Sequence, residues 1–211
     1  MTALKKYSNA EELANTISHA LGVILSLIAL FILILNSIDE GNLLTITSYA
    51  IYGTSLVLLF LASTLYHGSR NERLKQKFKL LDHCAIYILI AGSYTPLMLI
   101  PLKGPLGYGM LTLIWLIALA GIIFKIKFGH KHKKLSLMTY LGMGFISLAI
   151  INQLYQSLTT QALTLLAAGG LIYTLGVIFY VQKKIPFNHA IWHLFVLAGA
   201  GCHFVMMWLY L

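Results

Sequence analysis

Two histidines four residues apart, His189 and His193, open the last apolar stretch of the chain. Residues with this spacing lie one turn apart on the same face of a helix, so both rings can turn toward one point. Polar side chains are costly at membrane depth, and a bound metal is the simplest reason to place two imidazoles together there. Two ligands do not make a site, so the pair predicts partners elsewhere in the chain.

Three further residues are candidates for those partners. Ser63 and His67, also four apart, end an earlier apolar stretch, and Asp82 follows a short basic segment. Catalytic zinc sites commonly use three protein ligands and keep a fourth position for water, so His67 with the histidine pair would supply three imidazoles. Zinc lowers the pKa of bound water to about 7, which makes hydroxide available to attack an amide or ester. Asp82 would act as general base, bond the water or orient a ligand, and Ser63 would donate to a substrate carbonyl or hold Asp82.

Each of these residues also has a simpler interpretation. A lone His67 at a helix end is typical of the membrane interface. Asp82 would serve as a helix N-cap or as a counter-charge to the basic segment before it. The metal site is favoured because its absence would require all of these independent interpretations to be correct at once.

Composition predicts the elements that carry these residues. Of 211 residues, 59% are hydrophobic and 10% are charged, whereas a soluble domain typically has roughly 25% charged residues. About 20 apolar residues span a bilayer as a helix. We therefore expect an all-α membrane protein with a polar N-terminal arm, residues 1–16, and a single seven-helix domain, residues 17–211. The predicted segments are 17–36, 44–66, 80–100, 107–124, 135–155, 163–181 and 189–211.

Lysines and arginines are concentrated in alternate connections. The arm has two, the second and fourth connections five each and the sixth two, whereas the other three connections together have only Lys103. The positive-inside rule then predicts a cytoplasmic N-terminus and a C-terminus outside, the reverse of a rhodopsin-like receptor. The net charge of +9 is expected to face anionic phospholipid at the cytoplasmic loops rather than nucleic acid. This topology brings the three histidines, Asp82 and Ser63 to one leaflet.

The remaining polar residues are weaker candidates for function. Cys84 and Cys202 fall in apolar segments, which predicts no disulfide framework, and Glu11 and Glu12 before the first segment disfavour a cleavable signal peptide. We interpret His203 as a hydrogen-bonded core histidine. The stripe Glu11, Asn15 and His19 would seal the site from below or form an ordinary solvated face, and we favour the second. His83 is expected at the interface, and His130 and His132 are expected to contact solvent or headgroups.

Four stretches, residues 11–22, 63–67, 81–96 and 188–203, together resemble the hemolysin III family. This family is the bacterial branch of the progestin and adipoQ receptor group, which includes the adiponectin receptors. The resemblance implies seven helices, a cytoplasmic N-terminus and an intramembrane zinc held by His67, His189 and His193, with Asp82 and Ser63 beside the metal. The long soluble N-terminal region of the animal receptors is absent, which disfavours a ligand-receptor role. The wider superfamily resembles alkaline ceramidases, which implies metal-dependent hydrolysis of lipid amides.

The first functional hypothesis is accordingly a zinc-dependent hydrolase of a lipid amide or ester in the bacterial inner membrane, with membrane lipid as substrate. One alternative is a non-enzymatic sensor or regulator of membrane state with a structural zinc. A cytolysin is a third hypothesis, disfavoured because seven apolar helices insert during synthesis rather than from water. A metal transporter is weaker still, since it would need acidic or histidine residues along a full path across the membrane, and the outer half of that path offers little besides His203.

Overall fold

The structure, a computed structural model, describes residues 7–39, 41–129 and 131–211, with the side chains of Asp39 and Lys133 left aside. The first six residues of the predicted arm and His130 thus lie outside the described residues. Within these ranges the regular elements are all helical. They are α1 (Asn9–Asp39), α2 (Leu43–Gly68), α3 (Glu72–Leu99), α4 (Pro105–Phe128), α5 (Lys133–Phe145), a 3₁₀ helix (Ile146–Ile150), α6 (Ile151–Ser157), α7 (Thr160–Val181) and α8 (Asn188–Tyr210).

Seven helical spans in the described ranges are long and apolar enough to cross a membrane. The fifth span, Lys134–Ser157, combines α5, the 3₁₀ helix and α6. The prediction of an all-α protein with seven transmembrane helices is therefore confirmed. Large apolar side chains are exposed along most spans, as expected of surfaces that face hydrocarbon rather than water.

Helix α3 begins eight residues earlier than hydropathy predicts. In α3 the side chain of Asn71 caps the first turn by accepting the backbone N–H groups of Arg73 and Leu74, so the helix starts at Glu72 instead of residue 80. Much of the predicted basic connection is consequently helical. Asp82 lies about three turns into α3 rather than in its first turn or two, because capping rather than apolarity decides where a helix begins.

The helices pack as a bundle in which α1 contacts both α2 and α8. α3 packs against α2, α4, α5 and α8, and α7 packs against α5, α6 and α8. Two tyrosines of α2 reach across to α8: Tyr49 donates to the carbonyl of Met207 at 3.0 Å, and Tyr52 lies 3.5 Å from the carbonyl oxygen of Ala200. The first three helices and the last one thus surround a common interior.

The fifth span is interrupted where α5 ends, and Tyr94 of α3 supplies partners to the interrupted backbone. Its hydroxyl accepts the N–H of Ser147 at 2.9 Å and lies within 3.0 Å of the carbonyl oxygens of Met143 and Gly144. Irregular backbone is tolerated at membrane depth only when such groups are satisfied inside the protein. Tyr94 thereby makes the break compatible with a spanning segment.

Three glycines allow α7 and α8 to approach closely. A Cβ added at Gly169 would lie 2.4 Å from the ring of His203, one at Gly176 would meet Phe195 and Trp192, and one at Gly199 would meet Tyr173. By contrast, a Cβ at Gly170 would meet nothing within 4 Å. Small residues are common at helix contacts in membranes because they let backbones pack together.

We expect Gly169→Ala to destabilise the protein by about 1–3 kcal/mol, because the methyl group overlaps the His203 ring in a packed contact. Gly170→Ala is the matched control on the same helix and should leave stability unchanged or slightly raised. Thermal unfolding in detergent compares the two variants. Equal melting temperatures would contradict the close contact.

The orientation predicted from the charges of the connections is open to a direct test. A fluorescent protein that matures only in the cytoplasm should be bright when fused to the N-terminus and dark at the C-terminus, because the basic connections are retained in the cytoplasm. Alkaline phosphatase, active only outside the cytoplasm, should give the opposite pattern. Bright fluorescence at the C-terminus would reverse the predicted topology.

Candidate metal centre

His67, His189 and His193 come together at one end of the bundle. His67 lies in the last turn of α2, and the other two lie in the first two turns of α8. Each offers a ligand atom, and these atoms all lie within 4.8 Å of one another. The ring centroids are 4.6–5.2 Å apart, and the rings of His67 and His193 are buried. We call this group the histidine cluster, and it could hold a metal ion.

Buried polar atoms that lack a hydrogen-bond partner are concentrated around this cluster. In the part of the chain that the structure describes, such side-chain atoms belong to five residues only: Asn15 (Oδ1), His19 (Nδ1 and Nε2), Ser63 (Oγ), His67 (Nε2) and His189 (Nδ1). Most buried polar atoms in native proteins are paired, and each unpaired one costs about 1–3 kcal/mol. Their concentration at one place fits a site that binds an ion and a polar ligand.

The start of α8 is held against two neighbouring elements, which positions His189 and His193. Asn188 is buried, and its Nδ2 donates to the carbonyl of Phe179 near the end of α7 at 2.8 Å. Phe187, just before α8, has φ of 54°, a conformation uncommon for a bulky residue. Its N–H donates to Oε1 of Glu11 at 3.3 Å. The first turn of α8 is thus tied to both α7 and α1.

Helix α1 contacts the outer nitrogen of two cluster histidines. Nδ1 of His67 lies 2.7 Å from Oε2 of Glu12. Nδ1 of His193 lies 3.1 Å from the carbonyl oxygen of Asn15 and 3.0 Å from Oγ of Ser18. With Nδ1 engaged in this way, Nε2 of each ring is left for an ion. Glu12 and Ser18 were not among the predicted site residues, since nothing in the sequence separates Glu12 from the adjacent Glu11.

The prediction that Asn15 and His19 belong to a solvated face is wrong. Both side chains are buried, and the His19 ring stacks on His193 with centroids 3.5 Å apart and an interplanar angle of 13°. The reason is that α1 packs against α2 on one side and α8 on the other, which encloses this face. Glu11 alone behaves as predicted for the stripe: its carboxylate forms a capping box with Ser8 at the exposed start of the helix. The signal in the sequence that could have predicted this burial was the spacing of polar residues by four inside an apolar run.

Asp82 and Ser63 are not part of the histidine cluster, and Ser63 lies one turn before His67 on α2. Asp82 is buried, faces Ser63 across the contact between α2 and α3 and has a carboxylate oxygen 3.6 Å from Nδ1 of His83. The group of ligand atoms that closes within 4.8 Å contains the three histidines and not Asp82. Ser63 thus connects Asp82 to His67, which follows Ser63 by one turn on the same face of α2.

Aromatic rings cover the cluster at this end of the bundle. Tyr7 stacks on His189 with centroids 5.5 Å apart and meets the edge of His67 at 6.1 Å. Tyr66 and Tyr180 approach His67 and His189 from other sides, with centroids 4.3 and 6.1 Å away. Burial raises the pKa of Tyr7, so its hydroxyl stays protonated.

Three further described histidines, His203, His83 and His132, are not part of the cluster. Nε2 of His203 is 3.4 Å from the carbonyl oxygen of Leu166, which confirms the prediction of a hydrogen-bonded core histidine. His83 is partly buried and its Nδ1 donates to the carbonyl of Lys79 at 2.8 Å. His132 is exposed beside the rings of Phe124 and Phe128.

Known proteins resemble this chain along nearly its whole length. A family model described as haemolysin-III related matches residues 7–204. "Hemolysin-3" of Bacillus cereus is 46% identical over 200 residues, which cover 95% of this chain and 91% of that protein. "Hemolysin-3 homolog" of Bacillus subtilis (strain 168) is also 46% identical over 200 residues, covering 95% and 94%. The human "Monocyte to macrophage differentiation factor" is 36% identical over 207 residues, covering 95% and 84%. The resemblance drawn from the four sequence stretches is thereby confirmed.

The geometry predicts that purified protein binds about one zinc per chain and that His189→Ala loses it, because two imidazoles hold zinc far more weakly than three. His132→Ala removes an exposed histidine outside the cluster and is the control that should keep the metal. Elemental analysis after removal of loosely bound ions gives the metal content of each protein. Equal zinc in wild type and His189→Ala would rule out this cluster as the site.

Proposed function

Since the chain belongs to the haemolysin-III-related family of integral membrane proteins, we propose that it is a zinc-dependent hydrolase of a lipid amide or ester. We place it in the bacterial inner membrane, with its N-terminus in the cytoplasm and its basic connections against anionic phospholipid. One observation carries the proposal: three imidazoles converge, two of them have a buried nitrogen without a partner, and Ser63, one turn before His67, faces the buried carboxyl group of Asp82.

Zinc fits the residues that are present. It is commonly bound by three nitrogen or oxygen ligands of the protein in catalytic sites, with a fourth position open. His67, His189 and His193 match that number, and two of them have Nδ1 bonded to groups of α1, as is usual for histidines that bind metals. When bound, zinc would polarise the substrate carbonyl and supply an acidic water.

The residues beside the cluster divide the remaining chemistry between them. Asp82 accepts the proton of the attacking water as its oxygen adds to the carbonyl carbon. The hydroxyl of Ser63 donates to the carbonyl oxygen while negative charge develops there. Asp82 then returns the proton to the leaving nitrogen or oxygen as its bond to carbon breaks. The products are a carboxylic acid and an amine or alcohol.

The position of the cluster favours a lipid as substrate. His67 ends one span, and His189 and His193 open another, so the cluster lies near the membrane interface. The amide and ester bonds of lipids lie at that depth, between headgroups and acyl chains. The exposed apolar surface of the helices lets an acyl chain remain in the bilayer while the bond to be cleaved enters between helices.

Substitution of Asp82 or Ser63 should slow hydrolysis, whereas the zinc content of the variants should stay close to that of wild type. We expect Asp82→Asn to lower the rate of fatty-acid release about 10²–10⁴-fold, the usual contribution of a general base. Ser63→Ala should lower it less. Ser93→Ala is the matched serine control, because Oγ of Ser93 is already bonded to the carbonyl of Ile90 in its own helix.

The assay uses purified zinc-loaded protein in lipid nanodiscs and measures free fatty acid from a panel of ceramides, acylated amines, phospholipids and lipids of the source bacterium. Zinc content is measured on the same samples. Zinc-loaded wild type that releases no fatty acid from any of these lipids would contradict the proposal. If Asp82→Asn still restored the phenotype of cells that lack this protein, a non-enzymatic regulator would be favoured instead.

A further inference from the structure

We infer that Glu12 positions His67 as a metal ligand and that Lys75 holds Glu12 in place, an inference that rests on the metal centre proposed above. Three helices contribute one residue each to a continuous chain of contacts. Oε2 of Glu12 lies 2.7 Å from Nδ1 of His67. Oε1 of the same carboxylate lies 2.6 Å from Nζ of Lys75. The chain therefore runs from α3 through α1 to the cluster histidine on α2.

The contact with Glu12 determines which nitrogen of His67 faces the cluster. An ionised carboxylate can only accept a hydrogen bond, so Nδ1 of His67 must carry the proton that it donates. The lone pair of the neutral ring is then on Nε2, which is buried and has no partner among the described residues. A carboxylate in this position also makes the imidazole a more basic ligand and limits rotation of its ring.

Lys75 keeps the carboxylate charged and correctly turned. The side chains of Glu12 and Lys75 are only 18% and 16% exposed, so their attraction is screened less by water and salt than that of a surface pair. Nζ of Lys75 also lies 5.7 Å from the ring centre of Tyr66, the residue next to His67. Glu12 lies in the first turn of α1, where the helix dipole favours a negative charge.

The adjacent Glu11 has a different role from that of Glu12. Its carboxylate accepts hydrogen bonds from Ser8 and from the N–H of Phe187. These contacts hold the start of α1 and the segment before α8. Because Phe187 leads directly into α8 and its histidines, Glu11 is not a neutral control, and Glu72, an exposed carboxylate in the first turn of α3, serves instead.

Zinc affinity measured by competition with a chromophoric chelator tests the role of Glu12. We expect Glu12→Gln and Glu12→Ala to weaken zinc binding about 10–100-fold, as loss of the partner of a ligating histidine typically does, with Ala the more severe. Glu72→Gln, which changes the net charge by the same amount at an exposed position, should stay close to wild type. Lys75→Met should weaken binding by a smaller factor than Glu12→Ala, and Lys77→Met, at an exposed position of α3, should have no effect.

Melting temperatures measured without and with zinc distinguish two roles of Glu12: positioning His67 for the metal, and only linking the helices through its contacts. A positioning role predicts that metal-free Glu12→Gln melts near metal-free wild type and that the rise on adding zinc is smaller. Zinc affinity equal to that of wild type in both Glu12 variants would overturn the inference, as would an equal loss of melting temperature with and without zinc. Absence of zinc binding in wild type is a separate result and would overturn the metal centre itself.

Discussion

Inside a bilayer a polar group has to find its partner within the protein, because hydrocarbon offers none. Most of this structure obeys that constraint through local bonds. The hydroxyl groups of many membrane-embedded serines and threonines return to carbonyls of their own helix. Tyr94 satisfies the break in the fifth span. Against this background the buried side-chain atoms without a hydrogen-bond partner among the described residues are concentrated around the histidine cluster.

The same constraint explains why α1 matters to the site. A helix that only anchored the chain would need no buried polar residues, yet Asn15 and His19 are buried between α2 and α8. Glu12, Asn15 and Ser18 meet the outer nitrogens of two cluster histidines. The cluster histidines come from α2 and α8, whereas the groups bonded to their outer nitrogens come from α1. Close packing of α1 against both helices therefore links the geometry of the cluster to the stability of the bundle.

This division has a chemical consequence for the proposed hydrolase. Histidines oriented from one side by α1 leave their opposite nitrogens for an ion, while Asp82 and Ser63 come from the contact between α3 and α2. Support and reactive groups thus approach the cluster from different helices. A substrate carbonyl could enter on the side of Asp82 without displacing the contacts that hold His67 and His193.

The sequence by itself determined the number of spans, the family and the three histidines. These follow from local properties: apolar runs are as long as a bilayer is thick, and residues spaced by four share a helical face. The sequence did not predict the start of α3 at Glu72 or the burial of the stripe on α1. A hydropathy pattern contains no information on capping or on packing partners. Only the tertiary structure separated Glu12 from Glu11, or His19 from a surface histidine. Side chains of neighbouring residues point about 100° apart on a helix. The helices that pack around α1 decide which of these side chains contacts a cluster histidine.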